Sequence, residues 1–372
     1  MANEDKASRY HRLRRGASFV GTALSGLLLL ALLVSGGSAA LRDVANSLTG
    51  GSFTLTVLVY VVLVGLLSEV VGLPLAFYTG VTLERRYDLS TQKAGAWWLD
   101  HLKAGLIALM FGAAAGVFVW HLLRWRPDDW WLIAAFSFSV LMIILAQLAP
   151  VVLLPIFYDF KPLDRPGLRD RLVALAERAG AKVLGVFEWR LSDRTRKSNA
   201  ALTGLGRTRR ILLSDTLLAD HSDDEIEVIL AHELAHHVHR DMWTGIAVET
   251  ALTTFSFFLA DVALSAGVGH FGITGKADVA ALPLLALAGG AASIALSPLA
   301  NALSRAHERR ADRYALEMTR NVAAFVTAMK RLGARNLAEE HPSRFVELLF
   351  YTHPPLTARI EAAQRWAQAR TP

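Results

Sequence analysis

The sequence predicts a mainly α-helical protein that crosses a membrane several times and carries a water-facing domain with a small β-sheet. Three observations lead there. The 372 residues are 53% hydrophobic yet 19% charged, too apolar for an ordinary soluble domain and too charged for a uniform membrane channel. Six stretches are apolar over the roughly 20 residues that a helix needs to cross a bilayer. Two other long stretches, 159–241 and 304–372, mix charges with amphipathic patterns and belong in water.

The predicted spans are 16–41, 53–77, 104–123, 130–158, 242–268 and 279–303. The second carries Glu69, the fifth carries Glu249 and Asp261, and the rest hold no Asp, Glu, Lys or Arg. The first also has the outline of a cleaved signal peptide, with basic residues before it and the small residues Ser38, Ala39 and Ala40 at its end, but its apolar run is longer than a signal needs. A charge inside a span costs at least about 2.5 kcal/mol and faces a cavity or a partner. Glu69, Glu249 and Asp261 are therefore expected on interior faces, unless they sit near span ends or pair with basic residues. Four spans make residues 1–158 an N-terminal membrane domain. Residues 159–372 form a second domain interrupted by the last two spans.

Basic residues favour the cytoplasmic side of short flanking loops. Lys6, Arg9, Arg12, Arg14 and Arg15 precede the first span, and Arg85, Arg86, Lys93 and Lys103 follow the second. The alternate connectors hold only Arg42, then Arg124 and Arg126, then Lys276. Both termini and the water-facing domain are thus expected in the cytoplasm. The Ala- and Arg-rich composition suggests a bacterial chain, which would place it in the inner membrane. The net charge of +6 follows from these loops, and no basic-aromatic module suggests nucleic acid. Cysteine is absent, which excludes disulfides and thiolate metal sites, so any metal must be held by His, Asp or Glu.

In the water-facing part, Leu168, Leu172, Leu175 and Ala176 mark one face of a helix, and 183–191 and 210–213 read as strands. Residues 228–239 contain His-Glu-x-x-His at His232, Glu233 and His236. On a helix, residues four apart share a face, so both imidazoles can reach one ion while Glu233 is angled toward an open coordination position. Ser222 and Glu225 fit a capping box that starts this helix. The segment is also His-rich through His237 and His239, so the pentapeptide needs a third ligand to decide the matter. Glu308, in Ser-Arg-Ala-His-Glu-Arg-Arg-Ala-Asp at 304–312, is the best candidate, and Asp312 on the same face can orient a ligand imidazole. His307 is the rival ligand, and a solvated Glu/Arg helix is the bland alternative. The long gap from His236 to Glu308 matches two spans with short connectors. This ligand set predicts one zinc per chain, a zincin-like fold and peptide hydrolysis by a metal-activated water with Glu233 as general base. A membrane scaffold with a structural zinc is the non-enzymatic alternative, and it gives Glu233 no role.

At this point the chain resembles the membrane zinc proteases that comprise type I CAAX prenyl endopeptidases and heat-shock-type proteases. The two zinc motifs carry the resemblance. Glu-Arg-Arg-Tyr-Asp-Leu-Ser-Thr-Gln at 84–92, Asp-His-Leu-Lys at 100–103 and Pro-Ile-Phe-Tyr-Asp-Phe-Lys-Pro-Leu at 155–163 draw it toward the CAAX prenyl branch. The resemblance implies that Asn199, Ala200 and Gly204 belong to a substrate-binding edge strand, where an ordinary exposed turn is the alternative. It also implies that His353, in His-Pro-Pro, stands near the zinc and steadies the substrate or the developing oxyanion, where a plain loop is the alternative. The implied partners are the bilayer and a peptide or protein substrate, lipidated or membrane-embedded, with membrane-protein quality control as the other substrate reading.

Overall fold

The computed structural model describes residues 5–148, 152–204 and 209–370. Helix α1 (Lys6–Val34) is capped by Asp5, whose carboxylate accepts the Ser8 N–H. It stops where Gly36 takes φ +75°, a left-handed conformation open to glycine, and α2 (Gly37–Leu48) sets off as a separate helix. The first span therefore ends at Val34 and not near residue 41, as the uncharged run suggested. Helix α3 (Phe53–Phe77) continues through a π-helical stretch, Tyr78–Leu83, into α4 (Glu84–Arg86). Helices α5 (Ala94–Trp125) and α6 (Trp130–Leu148) complete the N-terminal bundle. Residues 149–151 of the predicted fourth span lie outside the described residues.

The chain then forms α7 (Leu154–Phe157), β1 (Phe160–Pro162), α8 (Pro166–Arg178), β2 (Gly185–Trp189), β3 (Ala200–Thr203), β4 (Arg210–Ser214), α9 (Asp215–Asp220) and α10 (Asp223–Val238). Two long helices follow, α11 (Asp241–Gly267) and α12 (Leu282–Thr319), and then α13 (Val322–Asn336), α14 (Arg344–Phe350) and α15 (Leu356–Gln368). Among the described residues, six helices are long and apolar enough to cross a membrane: α1, α3 with its continuation, α5, α6, α11 and α12 with the turn before it. Phe19, Leu27, Met110, Phe136 and Ile294 are exposed along them, as lipid-facing positions should be.

The bundle packs around Tyr60 and Val64 of α3, Trp120 and Leu123 of α5, Trp130 of α6 and Leu264 of α11. Two of the three intramembrane acids have partners. Glu69 meets His101 at 2.6 Å, and Asp261 accepts from Trp130 Nε1 at 2.6 Å and from Lys276 at 3.1 Å. The second core joins Leu168, Leu172 and Leu175 of α8 to Ile211 and Leu213 of β4, Leu230 and Leu234 of α10, Leu316 of α12 and Phe325 of α13. Helix α12 is continuous from the membrane core into this second core, so one rod carries both the sixth span and the second motif.

The sheet has the order β1-β2-β4-β3, with β2 and β4 parallel and the outer pairs antiparallel. Strand β3 is thus an edge strand among the described residues. The stretch before it is fixed by the loop after α4: Thr91 N–H donates to Arg194 O, Arg196 N–H donates to Leu89 O, and Asp100 pairs with Arg194 at 3.0 Å. That accounts physically for the segments at 84–92 and 100–103, which clamp the sheet to the membrane bundle.

Candidate metal centre

Helix α10 begins at Ser222, whose hydroxyl accepts the Glu225 N–H while the Glu225 carboxylate accepts the Ser222 N–H, the predicted capping box. Ile226, Leu230 and Leu234 bury one face, which fixes the rotation of the helix and turns His232 and His236 toward α12. There they meet Glu308. One ligand atom from each of His232, His236 and Glu308 lies within 4.8 Å of the others.

Each imidazole is held from behind by a carboxylate. His232 Nδ1 stands 2.9 Å from Asp312 Oδ1, and His236 Nδ1 stands 2.9 Å from Asp241 Oδ2. With Nδ1–H donating, each Nε2 of the neutral ring presents a lone pair. The two Nε2 atoms point at the Glu308 carboxylate, at 3.2 Å from Oε2 and 3.4 Å from Oε1. Oε2 of Glu308 is buried and makes no hydrogen bond. Lone pairs and a carboxylate facing one another at these distances repel unless a cation lies between them. The electrostatics point the same way. Burial works against a charged His232, yet the facing carboxylates of Asp312 and Glu308 raise its pKa, so this pocket draws positive charge. The donor set of two imidazoles and a carboxylate fits zinc, with the orienting carboxylates that zinc-bound histidines commonly use.

Glu233 is half-buried beside its neighbours, and loss of solvent around its carboxyl raises its pKa. His353 lies on the segment before α15, with Nε2 3.3 Å from Glu308 Oε1. That segment is held by Arg305 of α12, which donates to the carbonyls of Glu347 and Tyr351 at 3.0 and 2.6 Å. Asn199, Ala200 and Gly204 lie along and just beyond the edge strand β3, which packs on α10. Asn199 is exposed, and Gly204 takes φ +88° at the strand end. His307, the rival ligand, does not join the cluster. Its Nε2 lies 3.1 Å from Thr244 Oγ1.

Two residues at the site were missed in the sequence. Asp241 folds back onto His236 because Arg240 takes φ +56° and turns α11 off the end of α10. Arg310 donates to the same carboxylate. Arg359 of α15 forks onto Asp312 at 2.6 and 2.8 Å and lies 3.9 Å from Glu308 Oε2. Nothing short-range in the sequence connects it to the motifs.

Known proteins resemble this chain in sequence and fold. The profile of peptidase family M48 matches residues 162–367, and that of the CAAX prenyl protease N-terminal region, described as five membrane helices, matches residues 2–159. In this chain the latter stretch holds four helices long and apolar enough to cross, with the shorter α2 between the first two. An uncharacterized metalloprotease, YhfN of Bacillus subtilis, is 31% identical over 96% of this chain and 85% of its own length. CAAX prenyl protease 1 of Saccharomyces cerevisiae is 29% identical over 80% of this chain and 69% of its own. In fold, the crystal structure of S. mikatae Ste24p superposes with a TM-score of 0.85 at 22% identity, covering 98% of this chain and 91% of that one.

Proposed function

The chain belongs to peptidase family M48 as an integral-membrane metalloprotease of the CAAX prenyl protease type, and from that premise we propose a zinc endopeptidase with its ligands at His232, His236 and Glu308. The observation that carries the assignment is the convergence of two Nε2 atoms on one buried carboxylate whose Oε2 makes no hydrogen bond, each ring backed by a second carboxylate.

When bound, zinc supplies Lewis-acid polarisation of the scissile carbonyl and makes a water acidic near neutral pH. Glu233 takes the water proton and passes it to the departing amine. Asp312 and Asp241 hold the imidazoles in the tautomer that leaves Nε2 free. Arg359 neutralises Asp312 by donating to both of its oxygens, Oδ1 shared with His232 Nδ1 among them, which fixes the carboxylate that orients the ring. His353 stands where it can donate to the oxygen of the scissile carbonyl as negative charge develops there. The substrate peptide adds to the open edge of β3, so that Asn199, Ala200 and Gly204 line its path.

The substrate is a peptide or protein presented at the membrane. The CAAX prenyl proteases among the relatives support extending this to lipidated chains. The test is cleavage by the purified chain of matched prenylated and unprenylated peptides. Activity should be lost on chelation, restored by zinc, and absent in Glu233→Gln. Cleavage that survives both chelation and Glu233→Gln would refute the assignment.

A further inference from the structure

Of the three acids inside the spans, Glu69 and Asp261 are paired, whereas Glu249 of α11 has no hydrogen bond or ion pair among the described residues. It is exposed to a cavity of about 580 Å³ between α5, α11 and α12. The other lining residues are apolar, small or hydroxyl-bearing, Trp120, Leu252, Thr253, Ser293 and Ser297 among them, and Glu249 is the one charged group there. Trp120 is 1% exposed, and its Nε1 is a second polar atom without a partner. A carboxylate kept at membrane depth without a partner is costly and marks a place where a ligand supplies one.

The helices give the distance from the metal centre. Glu249 lies about two turns, about 12 Å, beyond Asp241 on α11, and Asp241 touches His236. Ala300, which also lines the cavity, lies about two turns before Glu308 on α12. Both rods therefore place the near end of the cavity about 12 Å from the ligand cluster, a distance that an extended peptide covers in about three or four residues.

We propose that this cavity is a specificity subsite, in which Glu249 receives the cationic side chain of a substrate residue, lysine or arginine, three or four positions from the scissile bond. The cavity accommodates a long aliphatic stem, and the carboxylate, in apolar surroundings, pairs with the terminal charge more strongly than it would in water. The inference rests on the peptidase reading above.

The test uses the full chain in lipid nanodiscs and quenched peptides of neutral sequence. A single lysine is scanned two to six positions from the cleaved bond on either side, against norleucine at the same position. Wild type should cleave the lysine peptide about tenfold faster in kcat/KM at three or four positions only, the size of one charge-assisted contact. Glu249→Gln should erase that ratio while cleaving norleucine peptides normally and keeping its zinc, and Glu249→Lys should favour glutamate at the same position. An unchanged lysine-to-norleucine ratio in Glu249→Gln, or no lysine preference in wild type, overturns the subsite. Failure of the peptidase reading is seen separately, as every peptide left uncut by wild type or peptides still cut by Glu233→Gln, and it overturns both.

Discussion

At the scale of single residues, the proposed metal centre is two imidazoles, a carboxylate and the acids behind them. Glu233→Gln should lower kcat by at least about 10²-fold while leaving zinc in place, because the amide cannot take a proton and no ligand is touched. Steady-state cleavage beside metal analysis checks this, and substantial turnover would remove Glu233 from its role. Asp241→Asn should weaken zinc about 10- to 100-fold, since an amide no longer enforces the His236 tautomer; competition with a chelator reads the affinity, and an unchanged value would make Asp241 structural only. Much of this cluster was legible. Four-residue spacing on a helix places His232 beside His236 and Glu308 beside Asp312 whatever the fold. Asp241 and Arg359 were not legible, because one depends on a left-handed turn at Arg240 and the other on the docking of α15.

At the scale of elements, β3 and α1 carry the main consequences. Ser214 N–H donates to Asn199 O, and the antiparallel register then makes Ala201 and Thr203 face β4, while Ala200 and Leu202 present their backbone groups outward. Ala200→Pro removes one outward N–H without breaking the ladder to β4. It should raise KM about tenfold, the worth of one good hydrogen bond, with zinc retained. Unchanged kinetics would place the peptide elsewhere. Helix α1 reaches out of the bundle to the segment that leads to His353: Arg15 pairs with Glu339 at 2.6 Å, and Tyr351 donates to the same carboxylate at 2.5 Å. Arg15→Leu would leave buried Glu339 without its cation and should cost about 3 kcal/mol, measured as a lower unfolding midpoint. No shift would mean that the contact is dispensable. Apolar length located the spans, but it could not show that the first breaks at Gly36 or that α12 runs unbroken into the second core, since charge marks where water begins and not where a helix stops.

At the scale of the whole molecule, the connectors sort into two ends. Around the metal centre, α1, the loop after α4 and the segment at 337–351 interlock through Tyr10, Glu84, Lys197 and Glu339. At the other end Arg42 meets Asp278 at 2.6 Å, and Lys276 donates to Pro127 O. The basic surplus belongs to the first end, so reporter fusions after Ser222 should read as cytoplasmic and those after Pro127 and Gly275 as external. The opposite pattern would invert the protein. Folding brings Glu308, two spans further along the chain, beside His232 and His236. Zinc content of the purified chain tests this most directly. Wild type and Glu233→Gln should each hold one zinc per chain, and Glu308→Ala should hold none after dialysis against a weak chelator, because two imidazoles alone bind poorly. One tightly held zinc in Glu308→Ala would contradict it.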